Sequence, residues 1–187
     1  MSLKENLIKY FNFSESDWDI TQKYFQEEKL DAKEFFLKEG KISNRIAVVK
    51  SGLLRTFFYD ENGDEITTQF FIPETLVISS ASFNGQIPTK ENIIAIEPSE
   101  LIVFTYNNIQ ELIRTIPAWQ KIPLAASEFK NWQKEKRIFE FQRLSAKERY
   151  LQFSKKYPQV CRSATVGQIA SYLGIDIATL SRIRAKI

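Results

Sequence analysis

At 187 residues, with 43% hydrophobic and 26% charged residues and a net charge of +3, the chain has the size and composition of one or two soluble domains with a real apolar core. It has no histidine and one cysteine, Cys161. That excludes imidazole-ligated metal sites, histidine-held haem, Ser-His or Cys-His nucleophile pairs, and any disulfide within the chain.

The small net charge hides a division. Lys130 to Ile187 carries 13 Lys+Arg against 4 Asp+Glu, a net of +9, whereas Met1 to Phe129 carries 13 against 19, a net of −6. An acidic front and a basic back imply two tasks, with an anionic partner at the back. The plain alternative is a well-solvated helical surface. The first ten residues are polar and lack a signal-peptide core, and no apolar run approaches the roughly 20 residues of a membrane span. A soluble, cytoplasmic protein without membrane contact is expected. Cys161 reads as a small linker residue rather than a redox sensor.

Residues 2–29 read as two helices broken at Asn12-Phe13-Ser14, with Ser14 capping the second and Trp18, Ile20, Tyr24 and Phe25 as its apolar residues. From Leu30 to about Thr105 the pattern becomes short runs of Val, Ile, Phe and Thr between turns. Phe35–Leu37, Ile46–Lys50, Leu53–Tyr59, Ile66–Ile72, Leu76–Ile78, Ile93–Ile96 and Leu101–Phe104 are predicted strands. Breaks are expected at Ser51-Gly52 and Glu97-Pro98-Ser99, and a hairpin at Asn62-Gly63, where both residues tolerate positive φ. Strands about ten residues apart with no helix between them indicate an antiparallel sandwich, barrel or jelly roll.

Asn108 to about Arg143 is predicted helical, with Pro117 starting a helix and Pro123 kinking it or beginning it afresh. Ile122, Ala125, Phe129, Trp132, Lys136 and Phe139 alternate at spacings of three and four, an a/d seam with one lysine. From Pro117 to Arg143 such a helix reaches about 40 Å. Its aromatics predict a twofold dimer, against packing on its own sandwich alone. Ser145 and Glu148 form a capping box for a helix containing Tyr150, Leu151, Phe153 and Tyr157, which Pro158 ends.

The last two dozen residues read as two short helices and a tight turn. Thr165 and Gln168 box the first, Ile169, Ala170 and Leu173 are its buried stripe, and Gly174 supplies the left-handed residue. Asp176 caps the second, where Leu180, Ile183 and Ile187 point inward. Thr179, Ser181, Arg182 and Arg184 are left for outer or flanking faces. A short helix carrying two arginines suits a DNA major groove, and the alternative is a packed hairpin with a solvated basic face.

Leu37-Lys-Glu-Gly40, Val48-Val-Lys-Ser-Gly-Leu53 running to Tyr59-Asp-Glu-Asn-Gly-Asp-Glu65, and Gln69-Phe-Phe-Ile-Pro-Glu74 precede Glu148-Arg-Tyr-Leu-Gln-Phe153 with Tyr157-Pro158. Ile169-Ala-Ser-Tyr-Leu-Gly-Ile175 and Thr179-Leu-Ser-Arg-Ile-Arg184 follow. In this order the motifs resemble the Crp/Fnr superfamily of bacterial transcription regulators along nearly the whole chain, and the last two resemble its branch common in Bacteroidetes.

The resemblance implies an α+β chain in three parts. Residues 1–116 are a cyclic-nucleotide-binding-like antiparallel β-roll, jelly-roll-like, with N-terminal helices; 117–143 are a long dimerisation helix; 144–187 are a short, wingless helix-turn-helix domain. It implies double-stranded DNA and a second copy as partners, with RNA polymerase as a further one, and no catalysis. Family members that bind cyclic AMP use a Gly-Glu pair and a downstream arginine pair. Here those places hold Pro73-Glu74 and Pro88-Thr-Lys-Glu-Asn92, with no arginine between Arg55 and Arg114. Glu74 and Lys90 are the candidate effector-pocket residues. A lysine offers a point charge without the bidentate fork, which argues against cyclic-nucleotide binding. The effector is open and no cofactor is expected.

The reader departs too, with Ile177-Ala178 where the family often has Arg-Glu or Pro-Glu. Arg182 matches a base- or phosphate-contacting arginine. Arg184 and Lys186 are assigned to phosphates, as is Thr165 through its hydroxyl or neighbouring amides, and Ile177 and Ala178 to thymine methyls. Thr179 and Ser181 complete the candidate DNA surface. The other reading is a ligand- or protein-binding sensor module of the same fold that has lost sequence-specific DNA binding.

Overall fold

The computed structural model describes residues 3–186. Two short helices come first, α1 (Leu3–Phe11) and α2 (Glu15–Thr21), with Ser14 and Asp17 forming a full capping box on α2. Helix α2 stops earlier than its sequence suggests. Tyr24 lies in the turn that follows, and Phe25 opens β1 (Phe25–Leu30), which pairs antiparallel with the last long strand from Phe25↔Phe104 to Leu30↔Ser99. The Gln-Glu-Glu-Lys run favours helix locally, and sheet pairing overrides it.

The remaining strands are β2 (Phe35–Leu37), β3 (Arg45–Tyr59), β4 (Glu65–Phe71), β5 (Leu76–Val77) and β6 (Asn92–Thr105). They form one antiparallel sheet in the order β1-β6-β3-β4, with β2 also on β6 and β5 also on β3. Two expected breaks are absent. Ser51-Gly52 and Glu97-Pro98-Ser99 are facing irregularities inside continuous strands, where the β3–β6 register shifts between Val49 and Leu54. Such bulges bend a sheet without ending it, and they tolerate a proline. Gly52 has φ +96°, and a Cβ there would lie 2.3 Å from Ser99 Oγ and 2.5 Å from the Pro98 carbonyl. Leu53 N–H donates to Ser99 Oγ at 3.1 Å, and Ser99 Oγ donates to the Glu97 carbonyl at 2.8 Å. The sheet rolls around Leu30, Phe36, Val49, Leu54, Phe71, Ile93, Leu101 and Val103, all buried.

The β3–β4 connection spans Asp60–Asp64, and of Asn62-Gly63 only Gly63 takes positive φ, at +85°. The Asp60 carboxylate accepts the N–H groups of Asn62 and Asp64, each at 2.9 Å, so an Asx-type turn does the work assigned to asparagine. A helix absent from the sequence reading, α3 (Ser80–Gly85), lies between β5 and β6. Its Ser-Ala-Ser-Phe-Asn-Gly sequence is a weak helix former. It is held by Phe83 packing edge-on to Tyr106 and by Ser82, which accepts the Ser43 N–H and donates to the Ile87 carbonyl.

After the roll come α4 (Tyr106–Thr115), a 3-10 turn (Pro117–Lys121) and α5 (Ile122–Arg143). The long helix therefore starts at Ile122 rather than Pro117, with Pro123 in its first turn. Trp119 of the 3-10 turn is buried and its indole N–H donates to Thr21 Oγ1 at 3.0 Å, which fixes the turn against α2. Helices α6 (Ala146–Lys156), α7 (Pro158–Ser163), α8 (Val166–Leu173) and α9 (Ile177–Arg184) complete the chain. Pro158 opens α7 instead of leading into a turn, and Tyr157 is the cap between α6 and α7. Ile187, read as an inward residue, lies outside the described residues.

The C-terminal helices dock on the roll. Leu53 and Phe70 of the roll share one buried cluster with Phe153, Val160, Ala164, Ile169, Ala170, Leu173 and Leu180. Polar ties surround it. Ser171 Oγ accepts the Thr67 N–H at 2.8 Å and donates to the Glu65 carbonyl at 3.1 Å. Glu97 accepts from Gln159 Nε2 at 2.8 Å and from the Ser163 hydroxyl. Arg137 of α5 donates to the Thr68 carbonyl on β4 at 2.6 Å and the Tyr172 carbonyl on α8 at 2.7 Å, its guanidinium 4.3 Å from the Tyr172 ring centre.

Gly52→Ala should destabilise the fold by at least about 2 kcal/mol in urea unfolding, because both its φ and its space exclude a Cβ; an unshifted midpoint would show that the bend tolerates one. Arg137→Ala should cost about 2 kcal/mol for two lost charge-assisted hydrogen bonds. It should also speed hydrogen exchange at the Thr67 amide. Wild-type exchange there would mean that docking does not depend on Arg137.

Candidate nucleic-acid interface

The two C-terminal helices are built as their residues require. Thr165 Oγ1 accepts the Gln168 N–H at 3.2 Å and Gln168 Oε1 accepts the Thr165 N–H at 3.0 Å. Gly174, at φ +62°, ends α8, and the Ile175 N–H reaches back to the Ala170 carbonyl. Asp176 caps α9, accepting the Thr179 N–H and hydroxyl, each at 2.7 Å. The Thr179 hydroxyl, then its N–H, hold the Asp176 carboxyl below the usual carboxylate range.

Helix α9 then divides by face. Leu180 is fully buried and Ile183 half-buried. Ile177, 58% exposed, lies outward with Ala178, Ser181 and Arg182. A Cβ at Gly167 would lie 3.6 Å from Ile177 Cδ1 and 3.9 Å from Thr165 Oγ1, so the starts of α8 and α9 meet over that glycine. Thr165 is exposed and belongs to this surface, as does Lys186 at the far end. Arg182 folds back, Nη2 donating to Thr179 Oγ1 at 3.0 Å and Nε to the Ala178 carbonyl at 3.3 Å. Thr179 is half-buried and its hydroxyl is occupied by Asp176.

Arg184 departs from the sequence reading. It leaves the outer face and turns onto α6, with Nε donating to the Tyr150 hydroxyl at 3.1 Å and Nη2 buried without a hydrogen-bond partner among the described residues. Its charge sits beside Cys161, whose thiol burial pushes up and the Arg184 and Arg162 guanidiniums pull down.

The candidate seam on α5 points away from its own chain. Phe129, Trp132 and Phe139 are 59, 53 and 54% exposed, and Phe129 stacks on Trp132 with ring centres 5.8 Å apart. Lys136 reaches over Trp132 and toward Glu140, while Ile122 and Ala125 are half-buried. The face turned to the chain's own body is polar instead, with Lys130, Gln133, Arg137 and Glu140 half-buried. It lies about one residue, or 100°, around the helix from the apolar stripe. Lys130 Nζ donates to Ser80 Oγ on α3 at 3.0 Å, and burial lowers its pKa against the pull of Glu91.

The two effector candidates lie at the surface. Glu74 is exposed in a turn at φ +70°, its N–H bonded to the Val49 carbonyl at 2.8 Å, and Lys90 is exposed on the segment before β6. What the structure does bury nearby is a set of neutral polar residues: Ser43, Ser79, Ser82, Thr89 and Asn92. Ser79 and Thr89 hydroxyls lie 3.1 Å apart, Asn92 Oδ1 accepts the Glu39 N–H at 3.0 Å, and Asn92 Nδ2 is buried without a partner among the described residues. Thr89 and Asn92 stand in the Pro88–Asn92 stretch that lacks an arginine, and their neutral donors are the signal the sequence carries there. Arg137 and Lys130 carry no such signal, because both lie off the apolar period by which α5 was read. Among the described residues no cluster of His, Cys, Asp or Glu could hold a metal ion, and no helix is long and apolar enough to cross a membrane.

Comparison with known proteins agrees with this architecture. The Cyclic nucleotide-binding domain family matches residues 27–116, the roll and α4. The Anaerobic regulatory protein of Pasteurella multocida is 26% identical over 191 residues, covering 95% of this chain and 68% of the relative. FixK2 from Bradyrhizobium japonicum superposes with TM-score 0.73 at 16% identity, covering 87% of this chain and 83% of that one. A putative Crp/Fnr-family regulator from Eubacterium rectale gives TM-score 0.74 at 15% identity, covering 97 and 87%. The chain thus carries a cyclic nucleotide-binding-type domain over residues 27–116 and is similar along nearly its whole length to the Pasteurella regulatory protein, with the fold of the two solved structures.

Proposed function

We propose that the chain is a DNA-binding transcription regulator that works as a homodimer, pairing through α5 and reading DNA with α9. The observation that carries this reading is the division of α9 itself. Leu180 is buried with residues of α6, α8 and the roll, while Ile177, Ala178, Ser181 and Arg182 are presented outward on the chain's basic half. Regulators such as the Pasteurella and Bradyrhizobium proteins support it, and nothing in the family calls for catalysis. In this reading Arg182 unfolds from Thr179 to reach a base edge, Ile177 and Ala178 touch thymine methyls, and the starts of α8 and α9 meet phosphates.

Dimerisation rests on the outward aromatic stripe of α5. Phe129, Trp132 and Phe139 would be covered by the same residues of a second copy related by a twofold axis. Two readers so joined would engage half-sites about one helical turn of DNA apart. The effector is not cyclic AMP in this proposal, since Glu74 and Lys90 lie at the surface and the polar side chains buried nearby, Ser79, Thr89 and Asn92, are neutral. The protein acts in the cytoplasm.

DNA selected from a random library with the full chain, followed by anisotropy titrations at several salt concentrations, tests the regulator reading. Sequence-selective binding is expected, and Arg182→Ala should weaken the selected duplex by about 1–3 kcal/mol. Binding without sequence preference, unchanged by Arg182→Ala, would favour the sensor module that no longer reads DNA. Trp132→Glu should shift the sedimentation coefficient from dimer to monomer while thermal unfolding stays cooperative. A monomeric wild type would overturn the dimer.

A further inference from the structure

We infer that the groove between the start of α6 and the far half of α9 holds a phosphate of the DNA backbone, with Lys147 as a cation of that site. The inference rests on α9 being a DNA reader. The groove is open, about 270 Å³, and lined by Lys147, Thr179, Arg182, Ile183 and Lys186. Thr179, Arg182 and Ile183 lie on α9 at i, i+3 and i+4, which puts them on one face, Lys186 follows just past the end of the helix, and Lys147 answers them from another helix. Three cations therefore converge on one concavity, and it borders the outward face of α9.

Among the described residues no acidic side chain lines the groove. The nearest carboxylates in sequence are committed elsewhere: Glu148 accepts the Ser145 N–H at 2.8 Å and its hydroxyl at 2.7 Å, and Asp176 is bound to Thr179. Lys147 is also badly placed for its own helix. It is the second residue of an 11-residue helix, where the macrodipole disfavours a positive charge. An anion in the groove would reverse that penalty, being attracted by the lysine and by the positive end of the α6 dipole together. The site recognises charge and position rather than sequence, so its part is to fix the register of α9 on the duplex.

The test compares full-length wild type, Lys147→Gln and Lys50→Gln on two duplexes, one selected by wild type and one scrambled, at several salt concentrations. Lys50 lies on β3 of the roll and pairs with Glu27, so its substitution removes the same unit of charge away from the groove. For Lys147→Gln, log K should fall less steeply with log salt, by about 0.9 per protomer bound. The loss of affinity should be equal on the two duplexes. Thermal unfolding should be no lower than wild type, since a lysine leaves the first turn. Lys50→Gln should leave the slope unchanged. An unaltered slope for Lys147→Gln, or the same change from both variants, overturns the phosphate site while the reader stands. Wild type that binds neither duplex overturns the reader and the site together.

Discussion

Gly52 is the point on which the rest of the molecule hangs. The Pro98 carbonyl and Ser99 side chain leave no room for a Cβ beside it, and its backbone is in a region that other residues rarely adopt. The irregularity changes which face of β3 each side chain meets. Val49 and Leu54 close the roll, whereas Leu53 turns to the opposite side and joins the cluster under the C-terminal helices. The same bend presents the Gly52 carbonyl to Gln159 at 3.0 Å and the Glu97 carboxylate to Gln159 and Ser163. One local constraint thus shapes the sensor and supplies the platform for the reader.

The platform is stiff because its ties come from three directions. Leu53 and Phe70 bury apolar surface against α8 and its neighbours, Ser171 accepts from and donates to the edge of β4, and Arg137 joins β4 to α8 from the long helix. Each polar tie is worth on the order of 1 kcal/mol, and more where the donor is charged. In a regulator of this design, a shift of α5 relative to the roll has to be resolved at Arg137, which cannot keep both carbonyls if β4 and α8 separate. Lys130 reaches from the same face of α5 to α3, so the long helix touches the polar cluster at one place and the reader's support at another. That is a physical connection between two sites, made of residues whose geometry is discrete rather than continuously adjustable.

Much of this was legible in the sequence wherever a local rule and the tertiary structure agree. The capping boxes at Ser145 and Thr165, the left-handed Gly174 and the Asp176 cap follow from residue types at fixed offsets, and the structure forms each of them. The failures share one cause. At Ser51-Gly52 and Glu97-Pro98-Ser99, turn residues mark a bend inside paired strands, and a single strand gives no sign that its partner bends opposite. Phe25–Leu30 and α3 adopt conformations that their own residues do not favour, because Phe104 and Tyr106 hold them from far along the chain. Arg184 belonged by period to a flank of α9 and went inward because Tyr150 offers its ring and hydroxyl. Periodicity places a side chain on a face, but only the neighbouring element decides whether that face is solvent.

The reader's composition explains why rigidity matters so much here. One arginine with a bidentate base contact supplies about 1–3 kcal/mol of discrimination, and two protomers about twice that. Specific regulators separate their sites from bulk DNA by about 4–10 kcal/mol. In the proposed reader Ile177 and Ala178 would offer methyl contacts in place of a hydrogen-bonding pair, so side-chain readout alone, about 2–6 kcal/mol, overlaps only the lower part of that range. The proposed phosphate contacts at Lys147 and Lys186 would add affinity to every sequence equally and could not close the gap. The remaining selectivity has to come from geometry, through the separation and orientation of two half-sites and the cost of deforming DNA to meet them. Such a contribution exists only if the two α9 helices are held in a fixed relation, α9 to roll by the cluster around Leu53 and Phe70 and, in the proposed dimer, copy to copy by the aromatic stripe of α5. For a reader with few base-specific side chains, the docking of the reader on the roll is itself a determinant of specificity.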